Sequence, residues 1–352
     1  MYTQPPKLRR LRDRSIVDEE GRFIYFSESA FMDKVVSGGG CFICAREIEN
    51  KSKEHIFPKW MLKFQNLFGE VIRLPNGTQY RYSGYKLPCC VDCNSALGRI
   101  YEVPVGDAFR DGFEGVMRLA RSDPLTIFGW FNLMFLKTHL RDNSLKEDRA
   151  KADSRQIGER HVWENFRAAH MLIRAPLFGT YVSPTVLGSL FVFRVRDYEE
   201  KGSFDYQDHS SMTVFLRIND VAVICVLNDF GEVNRLAGPH NRFSGTPDLV
   251  HTAEFLSRCQ AANASLTNRL MYRNVTDFDA GECVLTAFAA EAEPEASYSR
   301  ELYGKILWDN FQPFLDWRVA SGGVLADMED EIKAGNVSFL GWQTAAPFGR
   351  FD

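Results

Sequence analysis

Two Cys-x-x-Cys pairs constrain the fold of this chain more than any other feature: Cys41/Cys44 in "CFIC" and Cys90/Cys93 in "CVDC". Four thiolates from two such knuckles suit one tetrahedral Zn²⁺, a closed geometry typical of structural sites. Cys44 and Cys90 are separated by 45 residues. Simple paired-knuckle modules enclose roughly 15 to 20, so the intervening segment must be a folded element clamped at its base. Cys89 adjoins the second pair, but the two-residue spacing favours Cys90 as the ligand. The remaining three cysteines, Cys225, Cys259 and Cys283, are scattered and read as ordinary buried thiols. Such usage is not that of a disulfide framework.

The clamped segment contains "SKEHIFPKWML" and then "GEVIRLPNGTQYRYSGYKLP", in which apolar and polar residues alternate around Asn76-Gly77. Asn-Gly between alternating runs predicts a β-hairpin. Asn94 directly follows the second knuckle, at the start of an expected helix over 94–102 that continues past Pro104 into "GDAFRDGFEGVMRLAR". A zinc-clamped hairpin followed by a helix would bring His55 beside Asn94.

In combination, C-x2-C, Glu-His-Ile-x-Pro, hairpin and C-x2-C-Asn resemble the HNH endonucleases of the ββα-metal superfamily, in their zinc-knuckle form. The resemblance covers about residues 38–103. It implies His55 as general base, Glu54 and Asn94 as holders of a catalytic divalent metal, and Glu102 as a further support or ligand. It also implies structural zinc on Cys41, Cys44, Cys90 and Cys93, with Mg²⁺ or Mn²⁺ as the catalytic ion. Two positions depart from the pattern. Glu54 stands where Asp is more usual, and Tyr85 stands where many members carry the Asn that supports the loop. The residue types suit the chemistry: a neutral imidazole can deprotonate water near neutral pH, and carboxylate and amide oxygens suit a hard cation that thiolates do not. The expected reaction is hydrolysis of DNA to a 5′-phosphate and a 3′-hydroxyl.

The expected fold class is α+β, with a zinc-clamped ββα-metal domain over 1–122 and a mixed α/β domain over 123–352. Net charge is −4 for 352 residues, which argues against a chain-wide nucleic-acid footprint. Residues 1–103 nevertheless carry +4 and the remainder −8. "PKLRRLRDR" reads as an irregular basic arm. The longest apolar run, "PLTIFGWFNLMFL" at 124–136, is too short to span a bilayer and reads as a core helix ending at Lys137 and His139. No apolar signal region follows the N-terminal basic residues, so a cytoplasmic protein without a membrane partner is expected. Strands are expected in "GSLFVFRVRDY" and "MTVFLRINDVAVICVLND", and helices near 251–272 and 298–319. By analogy the chain is a defence or restriction effector. Its acidic C-terminal part would bind a regulatory protein or small-ligand activator, or mediate homo-oligomerisation. The alternative from the same residues is a catalytically degenerate zinc-scaffolded module that binds nucleic acid or protein.

Overall fold

The computed structural model describes residues 7–48, 52–74, 76–196, 203–209, 211–237, 245–288, 294–297, 299–312 and 322–340, with side-chain surroundings from 328 onward in the last of these. The fold is mixed α/β. In chain order, β1 (Arg9–Arg10), β2 (Ile16–Val17), β3 (Phe23–Tyr25) and α1 (Glu28–Phe31) precede the first knuckle. Between the knuckles lie β4 (Lys53–His55), α2 (Lys59–Phe64), β5 (Val71–Arg73), β6 (Gln79–Arg81) and β7 (Lys86–Pro88). Four helices follow: α3 (Val91–Leu97), α4 (Val103–Arg110), α5 (Gly112–Ser122) and α6 (Pro124–Asp142). Then come α7 (Trp163–Arg174), β8 (Thr180–Val182), β9 (Leu190–Arg194), β10 (Phe204–His209), β11 (Thr213–Ile218), β12 (Val221–Val226) and α8 (Glu232–Ala237). The chain closes with α9 (Leu249–Ser265), β13 (Leu266–Thr267), β14 (Met271–Asp277), β15 (Glu282–Phe288), β16 (Glu295–Ala296), α10 (Arg300–Phe311) and α11 (Gly322–Lys333).

The chain forms two compact units. The first comprises Met1–Asp111, Arg118–Val186 and Tyr272–Ala287. The boundary expected at 122 therefore falls inside it, because α6 and α7 pack on each other and on the knuckle region. Asp123 starts α6 by accepting from the Thr126 amide at 3.1 Å and from its hydroxyl at 2.6 Å, and Pro124 sits at the first helical position, where no N–H is required. From Thr126 to Lys137 this helix is buried on every side, and nearly all of those residues are apolar. It does not end at Lys137 but runs on to Asp142.

The Asn-Gly hairpin forms as expected: β5 and β6 pair antiparallel, and Gly77 takes φ of 76°. It is not, however, the hairpin that carries His55. β4 pairs with β7, His55 opposite Lys86 and Glu54 opposite Leu87, and the Asn-Gly hairpin is an insertion between these two strands. The described part of the basic arm is ordered rather than irregular. β1 pairs with β2 and β2 with β3, and a tight turn at Arg14 (φ 72°) closes the first pair.

The second unit comprises Gly112–Met117, Leu187–Met271 and Phe288–Asp352. An antiparallel sheet in the order β10-β11-β12-β9 packs Phe191, Phe215 and Ile224 against Phe255, Leu256 and Cys259 of α9. α10 covers another side of α9 with Tyr303, Leu307 and Trp308. The helix expected over 251–272 gives way after Ser265 to β13 and β14, and 313–320 lies outside the described residues. Among the described residues, no helix is long and apolar enough to cross a membrane.

Candidate metal centre and cleft

The sulfurs of Cys41, Cys44, Cys90 and Cys93 lie within 4.8 Å of one another, and those of Cys44 and Cys90 are 3.8 Å apart. A tetrahedral Zn–S₄ site with bonds near 2.3 Å has sulfur–sulfur edges of about 3.8 Å. The donor set therefore fits a zinc-like ion. Cys89 is buried with its sulfur 3.9 Å from that of Cys41, but it is not one of the four that converge. Its backbone extends the strand pairing instead, donating to the Ser52 carbonyl at 3.3 Å. The Phe42 amide donates to the Pro88 carbonyl at 3.2 Å, which ties the first knuckle to the end of β7.

Helix α7 supports this loop from beneath. His170 Nε2 donates to the Phe42 carbonyl at 2.8 Å, and Arg174 Nε to the Ile43 carbonyl at 2.6 Å. Both side chains are buried, and the Arg174 guanidinium lies over the rings of Phe26 and Phe178. Burial lowers the pKa of Arg174, while the thiolates of Cys93, Cys44 and Cys41 oppose that shift. With zinc bound, a tetrathiolate site would carry a net −2, and the buried arginine would supply part of the compensating charge. Neither His170 nor Arg174 belongs to a motif in the sequence, so their place beneath the knuckle is set by the packing of α7.

On the β4–β7–α3 scaffold a cleft of about 290 Å³ gathers Glu54, His55, Asn94 and Glu102 together. Exposed Lys53 and Lys59 stand on its rim. All four residues singled out from the sequence thus line one cleft. His55 rests edge-on against Phe68, and its ring makes no hydrogen bond to the described residues. Burial pushes its pKa down to about 4; Lys86, Lys59 and Lys137 add to the shift, and Glu54 opposes it. The imidazole is therefore neutral, the form a general base requires. Asn94 also lines the cleft, and its side chain has no hydrogen-bond partner among the described residues.

Glu102 reaches the cleft through an irregular turn. In an uninterrupted helix eight residues at about 3.6 per turn would leave Glu102 roughly 80° past Asn94. Gly98–Glu102 instead forms a π turn, with the Val103 amide bonded to the Gly98 carbonyl, and its wider coil takes back part of that rotation. Behind the carboxylates lies Lys137 of α6, 0% exposed. Its Nζ donates to Glu54 Oε1 at 3.1 Å, to the His55 carbonyl at 2.8 Å and to Glu102 Oε1 at 3.5 Å. Glu54 is held below the usual carboxylate range: burial opposes this, and Lys137 with a hydrogen bond from Glu102 outweighs it. Burial pushes Glu102 up to about 7, with Lys137 opposing and Glu54 adding. The pair therefore shares one negative charge against one ammonium.

Lys137 was missed by sequence reasoning, although a signal existed. Trp130, Leu133, Met134 and Lys137 fall on one helical stripe, so a lone lysine on an otherwise apolar face needs a buried acid opposite. Tyr85 also differs from expectation. Its carbonyl accepts from the Ile56 amide at 2.9 Å, next to His55, and its hydroxyl donates to Asp142 Oδ2 on α6 at 2.7 Å. The phenol packs among Phe57 and Tyr80. Here the backbone of a tyrosine braces the histidine strand, and the side chain anchors it to α6. No protein-family model matches this chain, and no curated protein or solved structure matches it either.

Proposed function

We propose that the chain is a metal-dependent endonuclease of HNH type that hydrolyses DNA phosphodiester bonds. The observation that carries this reading is the convergence of His55, Glu54, Asn94 and Glu102 in one cleft, on a strand pair and helix clamped by a four-cysteine centre. Neutral His55 accepts a proton from water, and the water oxygen attacks phosphorus in line with the 3′ oxygen. The P–O3′ bond breaks, leaving a 5′-phosphate and a 3′ oxygen that takes its proton from solvent. Oxygens of Glu54 and Asn94, with Glu102, form a donor set suited to Mg²⁺ or Mn²⁺. When bound, such an ion stabilises negative charge on the phosphate and the leaving oxygen. Lys137 contacts Oε1 of each carboxylate, and Glu102 also hydrogen-bonds Glu54, so a bound ion would share these oxygens with that network. Lys53 and Lys59 are placed to hold flanking phosphates.

The test is cleavage of supercoiled plasmid with Mg²⁺ or Mn²⁺ by the wild type and by His55→Ala, with zinc content measured in both. Cleavage lost in a variant that keeps its zinc supports the reading; cleavage undiminished in that variant sinks His55 as the base. A second reading is a catalytically idle binding module, favoured by the ion pairing of Lys137 to both carboxylates. It requires DNA binding without turnover under any divalent ion. A role in restriction or defence, and a regulatory or oligomerising role for the second compact unit, belong to this proposal as well. Light scattering of the full chain with and without DNA tests the oligomerising role.

A further inference from the structure

The ordered basic arm builds a second cleft in the first unit. Its volume is about 400 Å³, and it is lined by Arg10, Arg12, Arg14, Tyr25, Asn274 and Thr276. None of the three arginines has a carboxylate partner among the described residues. The acid nearest in sequence, Asp13, is engaged elsewhere. Its carboxylate accepts from the Ser15 amide and hydroxyl at 3.0 Å each and from the Ser27 hydroxyl at 3.2 Å. Those bonds hold Asp13 on the turn while Arg12 and Arg14 stay exposed on either side of it.

The rest of the lining also presents donors. The Tyr25 hydroxyl accepts from Arg167 Nη1 at 2.6 Å, which leaves its own proton to give. Asn274 uses its carbonyl oxygen to accept from the Thr276 hydroxyl at 2.7 Å, so its amide nitrogen remains a free donor. Arg10 is held over the Phe278 ring at 5.1 Å, a stacked position that orients a guanidinium without neutralising it. Three guanidinium groups without an ion-pair partner among the described residues, outnumbering the one neighbouring carboxylate of Asp13, make an anion site with two further donors. Liquid water occupies roughly 30 Å³ per molecule, so the cleft has room for about a dozen waters, more than a lone inorganic anion needs.

We propose that this arginine cleft is an exosite that seats the sugar-phosphate backbone of duplex DNA, separate from the His55 cleft. The identity of the ligand as DNA rests on the nuclease reading given above. The anion site itself does not. Phosphate contacts of this kind position a duplex without reading its bases.

The experiment is binding of a fluorescent DNA duplex of about 25 base pairs to the full chain in EDTA, by anisotropy across a salt series. The variants are the triple Arg10→Gln/Arg12→Gln/Arg14→Gln and the corresponding triple Arg→Lys. Each neutralised phosphate contributes about −0.9 to the slope of log K against log salt. The glutamine triple should therefore show a slope shallower by about 2 to 3, and binding weaker by about tenfold or more. The lysine triple, which keeps charge, should retain most of the slope. A glutamine triple with wild-type melting and zinc content, yet unchanged affinity and slope, overturns the proposal. So does a wild type that binds no duplex, or one that binds only anionic phosphatidylserine vesicles. Plasmid cleavage with Mg²⁺ is scored separately. Arginine-dependent binding without cleavage would remove the nuclease reading and leave the exosite standing.

Discussion

Lys137→Met should be among the most damaging single substitutions in the first unit, although it replaces a polar residue by an apolar one in an apolar helix. At 3.1 Å from Glu54 and 3.5 Å from Glu102, each attraction is about 5 kcal/mol for an effective dielectric near 20. Desolvation of the ammonium offsets much of this. Removal of one partner leaves a buried carboxylate uncompensated, so the net cost is about 3–5 kcal/mol. Urea unfolding at pH 7, followed by tryptophan fluorescence and zinc release, measures it. The sign of the pH dependence is a second check. Without Lys137 the folded-state pKa of Glu54 rises above its unfolded value near 4.3. The folded state then binds more protons than the unfolded one between those values, so the variant regains stability as pH falls from 7 to 5. Adding Glu54→Gln should restore at least half of the loss at pH 7, because the buried charge is then gone. A Lys137→Met protein within about 1 kcal/mol of wild type at pH 7, or one that loses ground relative to wild type on acidification, would refute the reasoning.

Zinc content separates the two neighbouring cysteines: Cys90→Ala should lose the metal, and Cys89→Ala should keep it at one per chain, by mass spectrometry of the desalted protein. Tyr85→Phe should cost about 1–3 kcal/mol by loss of its bond to buried Asp142, measured by thermal unfolding. Burial and the neighbouring His139 lower the pKa of His161 to about 4, so the unfolded chain takes up the proton first and stability falls as pH drops from 6.5 towards 4. His161 is only partly buried, so solvent screening reduces its share of the loss between pH 7 and pH 5 to about 1 kcal/mol, and His161→Phe should flatten the wild-type loss by that amount. A truncation ending at residue 122 should fail to hold zinc, because it removes His170 and Arg174 from beneath the first knuckle.

Spacing carried most of the site. Paired knuckles, Glu54-His55 and Asn94 are short-range signals, each set by local chemistry, and the fold brings them together as their order in the chain suggests. The Asn-Gly hairpin was equally legible, because a positive φ at Gly77 is a local requirement. Its place was not. Which two strands of four pair around His55 depends on α2 and the inserted hairpin, and no local pattern states that β4 seeks β7. The arm misled for a related reason. A run of arginines looks unstructured by composition, but Asp13, Ser15 and Ser27 close a turn within it through contacts between residues 12 and 14 positions apart.

The extent of the first unit was the least legible feature, and its cause is electrostatic as much as hydrophobic. A change of pattern near 122 reads as a boundary because helix α6 turns wholly apolar there. Its polar exceptions reverse that inference. Lys137 meets Glu54 and Glu102, and Asp142 meets Tyr85, while on α7 His170 and Arg174 meet the carbonyls of the first knuckle. A domain ending at 122 would lack the cation that faces Glu54 and Glu102, the donors that meet two knuckle carbonyls, and the apolar cover that α6 lays over this region. The helices after 122 are thus part of the machinery that sets the charge of the cleft, and any reading of its chemistry that stops at the second knuckle omits the residue that neutralises its carboxylates.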